Sequence, residues 1–192
     1  MNIITNRGLL EVIANRVRRA VVAYSNDPSS EGTVWHKNPS LLGACGISSV
    51  FLFKQLVDAG FTGATVVVGE FDCGDNNASR HAWIQLESNG TWIVDVTASQ
   101  FADSLGALAS DVVITPVHSE VGGRYTVKVS KFYLREMFAF WSSKNIPWGR
   151  LDGKTSHQVK LQRFYDAELA ADMTESPLRP SGRRDEALLC VS

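Results

Sequence analysis

Cys45, His81 and Asp95 occur in an order and setting that could do acyl chemistry. Cys45 opens the apolar stretch Gly43-Ala44-Cys45-Gly46-Ile47-Ser48-Ser49-Val50, which reads as the start of a helix. His81 lies in Arg80-His81-Ala82-Trp83-Ile84 and Asp95 in Trp92-Ile93-Val94-Asp95-Val96-Thr97, and both segments read as strands. A thiol attacks a carbonyl carbon only as thiolate, so it needs a lowered pKa and a proton acceptor. A helix N-terminus favours the negative sulfur, and a histidine takes the proton. An aspartate beyond the imidazole would hold one tautomer and stabilise its cation. Gly43, Ala44 and Gly46 leave the sulfur uncovered and let a substrate backbone approach closely. Each residue also has a plainer reading. Cys45 could be a small buried hydrophobe, His81 a polar residue on a solvent face, and Asp95 half of a structural ion pair. The expectation is nonetheless nucleophile, base and orienting acid.

These side chains meet only if the elements carrying them are placed correctly. Leu9, Ile13, Val17, Ala20 and Tyr24 recur at helical spacing and predict a first amphipathic helix, followed by the turn formers Ser25 to Gly32. Thr33 to Leu42 reads as irregular. A second helix is predicted from about Cys45 to Ala59, stopped by Gly60. Its apolar residues cover most of its circumference, so it reads as buried. Ala64 to Phe71 is a valine-rich strand, Asp72 to Ser79 a polar loop, and His81 to Glu87 and Thr91 to Val96 a hairpin. Val112 to Val117 and Tyr125 to Val129 read as another pair, joined near Gly122-Gly123. Helical pattern resumes after Lys131 through Trp141, gives way to a turn at Asn145 to Gly149, and returns from about Thr155 to Met173.

The hairpin provides a geometric test. Side chains alternate faces along a strand, so His81, Trp83 and Gln85 share one face. A two-residue Asn89-Gly90 loop would put Asp95 on the other face. A three-residue Ser88-Asn89-Gly90 loop pairs Glu87 with Thr91, sets Asp95 opposite Trp83, and leaves it one diagonal step from His81. The catalytic reading requires the three-residue loop.

Composition sets outer limits. With 192 residues, 44% hydrophobic, 20% charged and a net charge of -1, the chain can build one sizeable core, and no global field favours nucleic acid or an anionic membrane. No apolar run approaches the roughly 20 residues of a membrane span, and the charged N-terminal segment does not read as a signal peptide. The three cysteines, Cys45, Cys73 and Cys190, argue against a disulfide framework and for a reducing, cytoplasmic setting. No ligand spacing for zinc occurs, so neither a metal nor another cofactor is expected. His36, His118 and His157 read as surface residues.

The motifs resemble those of the transglutaminase-like cysteine enzymes, a superfamily distantly related to papain. The similarity spans about Gly43 to Phe101: a helix-opening cysteine, then His81-Ala82-Trp83, then Asp95-Val96-Thr97. It implies an α+β fold in which the cysteine helix packs against an antiparallel sheet, with a helical C-terminal extension. The expected division is residues 1–130 as catalytic core, 131–173 as a helical extension packed on it, and 174–192 as a mobile tail. The implied activity is hydrolysis of an amide bond in a peptide or protein, as a peptidase or deamidase, through a thioester on Cys45. The alternatives are acyl transfer that cross-links an amine to a glutamine, and a binding module that keeps the fold without the chemistry. The compact size and the Cys-x-x-Ser-Ser start also resemble lasso-peptide leader peptidases, and Asp95 to Phe101 resembles a run in bacterial relatives. Candidates to hold the oxyanion or contact substrate are the Cys45 backbone N–H together with Trp35, Asn38, Gln100 and Trp83. The expected partner is a peptide or protein substrate; oligomeric state is left open.

Overall fold

The structure, a computed structural model, describes residues 3–127, 150–151, 154–155 and 157–174. The first helix, α1 (Ile3–Asn26), buries Leu10, Ile13, Ala14, Val17, Val21 and Tyr24 along one stripe. The stripe begins at Leu10 rather than Leu9, which is 41% exposed. Helix α2 (Cys45–Asp58) ends as its sequence predicts. Gly60 takes φ +90° and donates to Val57 O at 2.9 Å, while Phe61 N–H reaches back to Leu56 O at 2.8 Å. These two bonds satisfy carbonyls that the helix end would otherwise leave open.

Five strands form an antiparallel sheet in the order β4-β3-β2-β1-β5, so the fold is α+β. They are β1 (Ala64–Gly74), β2 (Asn77–Glu87), β3 (Thr91–Asp95), β4 (Val113–Pro116) and β5 (Tyr125–Val127). The segment expected as a polar loop, Asp72 to Ser79, is instead the end of a long hairpin. Asp75 and Asn76 make its two-residue turn with φ of 51° and 60°, a left-handed conformation these residues tolerate. Strand β2 is therefore four residues longer than its apolar pattern suggests. The expected pairing of the last two strands is also corrected. β4 pairs with β3 and β5 with β1, at opposite edges of the sheet. Between the last two, Val117 and Val121 pack against the sheet core.

The β2–β3 connection is the three-residue loop. Glu87 faces Thr91 and Ile84 faces Val94, with Asn89 and Gly90 both at positive φ. Alternation then divides the sheet. Val66, Ile84, Leu86 and Val94 join α1 and α2 in one core, while Val67, Phe71, Trp83, Ile93 and Tyr125 form a second with Phe101 and Leu105. Leu105 lies on the short helix α3 (Ala102–Leu105), an element that the sequence pattern does not announce.

Beyond the sheet, Arg150–Leu151 (β6) and Lys154–Thr155 (β7) form a small ladder. Helix α4 (His157–Thr174) buries Leu161 and Tyr165 in the same core as α1 and α2. Arg16 and Arg19 of α1 pair with Asp172 of α4, and Arg19 also with Glu168. The predicted helix after Lys131, the turn at Asn145 to Gly149 and the tail beyond Thr174 lie outside the described residues. Among the described residues no helix is long and apolar enough to cross a membrane.

Candidate active site

Strand β2 outruns β3. β3 ends at Asp95, while β2 reaches back to Asn77, so His81 and Ala82 lie beyond the paired part of β3. On their other edge they pair with β1, where Gly69 faces His81 and Val68 faces Ala82. In an antiparallel strand the N–H and C=O of one residue point to the same edge. At Ala82 that edge is taken by α2. The Ala82 N–H donates to the Cys45 sulfur, and the Ala82 carbonyl accepts from Ser49 Oγ at 2.9 Å. Cys45 and Ser49 are four residues apart and share one helix face. The first turn of α2 thus fills the place left by the missing strand.

This docking puts the thiol beside His81. The imidazole Nε2 is 2.7 Å from Asp95 Oδ2, and both side chains are buried. With Nε2 committed to Asp95, Nδ1 is the ring nitrogen left for Cys45, which hydrogen-bonds the imidazole. Asp95 is held from both ends. Oδ1 accepts from Thr97 N–H at 2.8 Å and Thr97 Oγ1 at 2.9 Å; Oδ2 accepts from His81 and from Tyr125 O–H at 3.0 Å. The Asp-x-Thr spacing accounts for the first two bonds, because a residue two positions on can fold its N–H and hydroxyl back to the carboxylate. Arg18 of α1, itself buried, donates to Val96 O at 3.2 Å and braces the chain just past Asp95.

The charges follow from this geometry. Burial resists ionisation of the Cys45 thiol, but the His81 hydrogen bond and charge and the Ala82 N–H outweigh it, leaving the pKa below its ordinary value. Burial likewise opposes the His81 cation, yet the Asp95 charge and hydrogen bond and the Cys45 contact raise its pKa to about 9. Asp95 is fully buried and still held below the usual carboxylate range by His81 and Thr97. Burial, and then the Asp95 charge, push the Tyr125 hydroxyl well upward, so it stays a proton donor.

Aromatic rings enclose the imidazole. Trp83 lies nearly parallel to it at 6.0 Å between centroids, Phe101 meets it edge-on at 4.8 Å, and Phe101 stacks on Phe71 at 3.9 Å. Trp83 is fully buried. Expected as an oxyanion or substrate candidate, it is placed behind His81, in the core. Trp35 is also buried, edge-on to Tyr24 at 6.2 Å and to His157 at 5.0 Å, and serves the packing of α1 against α4. Asn38 folds onto its own loop, its Oδ1 accepting from Ser40 N–H and Oγ. Gln100 reaches the imidazole nitrogen itself, its Nε2 lying 3.2 Å from His81 Nδ1.

Cys73 is half-buried with its sulfur 3.7 Å from Phe71 O. His157 binds the Tyr24 hydroxyl at 2.5 Å, and His36 binds Ser30 Oγ at 2.6 Å. Among the described residues no group of three or more His, Cys, Asp or Glu side chains is arranged to hold a metal ion. Sequence reasoning missed Ser49, Tyr125 and Arg18. Ser49 carries a usable signal, a polar residue one turn after the cysteine on a buried helix. Tyr125 and Arg18 reach the site only through the tertiary fold. No protein-family model, curated protein or solved structure matches the chain.

Proposed function

We propose that this protein is a cysteine-dependent hydrolase of amide bonds, of the transglutaminase-like type, acting on a peptide or protein. The observation that supports this most strongly is a thiol at a helix start, hydrogen-bonded to a buried histidine whose far nitrogen is 2.7 Å from a buried carboxylate. An ion pair needed only for stability would have no use for a thiol hydrogen-bonded to the other side of the ring. The antiparallel sheet with the cysteine helix docked on it supports the fold assignment.

Cys45 transfers its proton to His81 Nδ1, and the thiolate attacks the substrate carbonyl carbon. The carbonyl electrons move to oxygen, which the N–H groups opening α2, without partners inside the helix, can receive as donors. The C–N bond then breaks, the leaving nitrogen takes the proton from His81, and a thioester remains on Cys45. Water, deprotonated by His81, attacks the thioester and releases the carboxylic acid and the thiol. Asp95 keeps the ring oriented and its cation stable throughout. Val34 and Leu42, 76% and 54% exposed on the segment leading into Cys45, offer apolar contact to a substrate chain. The test is incubation with protein and peptide substrates, followed by mass spectrometry. New chain ends or released ammonia, both absent with Cys45→Ala, are expected. Isopeptide cross-links would instead indicate acyl transfer, and no Cys45-dependent product across a broad substrate panel would favour a binding module.

A further inference from the structure

Gln100 occupies a position that the triad alone does not explain. Its Nε2 lies 2.9 Å from Thr97 O as well as 3.2 Å from His81 Nδ1. A carbonyl oxygen only accepts, so Thr97 fixes which end of the amide is nitrogen. The second N–H on that nitrogen points at Nδ1. It can be received only while Nδ1 carries a lone pair, which is the neutral imidazole protonated on Nε2. That tautomer donates to Asp95. The Cys45 proton needs the same lone pair. Once the thiol proton reaches Nδ1, the Gln100 N–H faces another N–H and its hydrogen bond is lost.

We propose that Gln100 is a positioning residue that favours the neutral Nε2–H tautomer of His81 and competes with Cys45 for Nδ1, opposing thiolate formation. This rests on the reading of Cys45 as a nucleophile served by His81. Two titratable groups around the ring pull the opposite way: Cys45 from α2 and Asp95 from β3 both favour the imidazolium. Tyr125 from β5 donates to Asp95, and Arg18 from α1 adds its charge near that carboxylate, so both weaken its pull on the ring. Gln100 is the neutral donor set against Cys45 and Asp95.

The test uses the full chain with Cys73 and Cys190 replaced by alanine. In a Cys45→Ala background, 15N spectra follow the His81 ring through its titration. Gln100→Met should raise its pKa by about half a unit to one unit, the worth of one hydrogen bond. Gln100→Glu should raise it further, because a carboxylate accepts from Nδ1–H. With Cys45 restored, Gln100→Met should raise the iodoacetamide alkylation rate on its mid-pH plateau by about threefold to tenfold. A pKa that falls or stays fixed in both variants would overturn the inference, since a residue that merely props the ring predicts that result. An unchanged or slower plateau would equally overturn it. If His81→Ala leaves Cys45 alkylation unaltered, the nucleophile reading fails with it, and the spectra of the Cys45→Ala series still report on the Gln100 contact separately.

Discussion

Replacing Asp95 by asparagine probes the site at its most constrained point. The carboxylate accepts four hydrogen bonds, two on each oxygen. Asparagine can keep its carbonyl oxygen toward the Thr97 N–H and Oγ1, where only an acceptor fits. Its NH2 group must then face His81 Nε2 and the Tyr125 hydroxyl, where both neighbours are donors. The imidazole can answer only by giving up its Nε2 proton and carrying one on Nδ1. That tautomer has no lone pair for the Cys45 thiol, and its Nδ1–H also confronts the Gln100 amide. The Tyr125 hydroxyl must turn, leaving a buried proton without its carboxylate. The stability cost is about 1–3 kcal/mol for the unsatisfied donor. The catalytic cost is larger, about 10²- to 10⁴-fold in turnover, because the general base is lost. Stopped-assay turnover, Cys45 alkylation and a denaturant melt on the same variant separate the two effects. Turnover within about threefold of wild type in a folded Asp95→Asn protein would refute the tautomer argument. A large loss in turnover that exceeds the stability change would support it.

Further outcomes follow from the surrounding packing. Ser49→Ala removes the buried bond to Ala82 O, so it should cost about 1 kcal/mol in a melt and slow Cys45 alkylation, since the helix is no longer pinned beside His81. Gly69→Ala would place a Cβ 2.1 Å from Thr126 O and 2.6 Å from the Trp83 ring, forcing β5 and the ring behind His81 to move; a destabilisation of about 1–3 kcal/mol is expected from a melt. Stability should also depend on pH through His81. Its folded pKa of about 9 lies above the ordinary 6.5, so its contribution is fully present below 6.5 and is lost as pH rises through 9, while the lowered Cys45 pKa works in the opposite direction over the alkaline range. Asp95 has the opposite sign: its contribution is present above 3.8 and disappears as pH falls through its lower folded value. Melts from pH 3 to 10 check both limbs, and the alkaline fall should flatten in His81→Ala.

Local signals made the centre of this site legible. The glycines around Cys45, the Gly60 stop and the three-residue loop with Asn89 and Gly90 at positive φ are each encoded within a few residues, and the loop alone decides which face Asp95 takes. What was not legible is set by contacts distant in sequence. Asp75-Asn76 looks like loop material because the residues that tolerate a left-handed turn are also those that fill loops. β4 and β5 look like a hairpin because they are neighbours in sequence, but each pairs with a strand at an opposite edge of the sheet. Leu9 and Leu10 are equivalent by type, and only the direction of α1 over the sheet buries the second. Trp83 shares a face with His81, as alternation requires, and the short segment from Ala98 to Leu105 covers that face, so the ring sits in the core.

The pairing of Cys45 with His81 is tested most directly by the pH dependence of Cys45 alkylation by iodoacetamide, measured by intact mass with Cys73 and Cys190 replaced by alanine, alongside the same protein carrying His81→Ala. Wild-type Cys45 should stay reactive well below the pH at which an ordinary thiol, with a pKa of about 8.5, stops reacting. His81→Ala should restore the profile of an ordinary or buried thiol. Superimposable profiles for the two proteins, both titrating at or above the ordinary thiol pKa, would contradict the claim that Cys45 and His81 act as one unit.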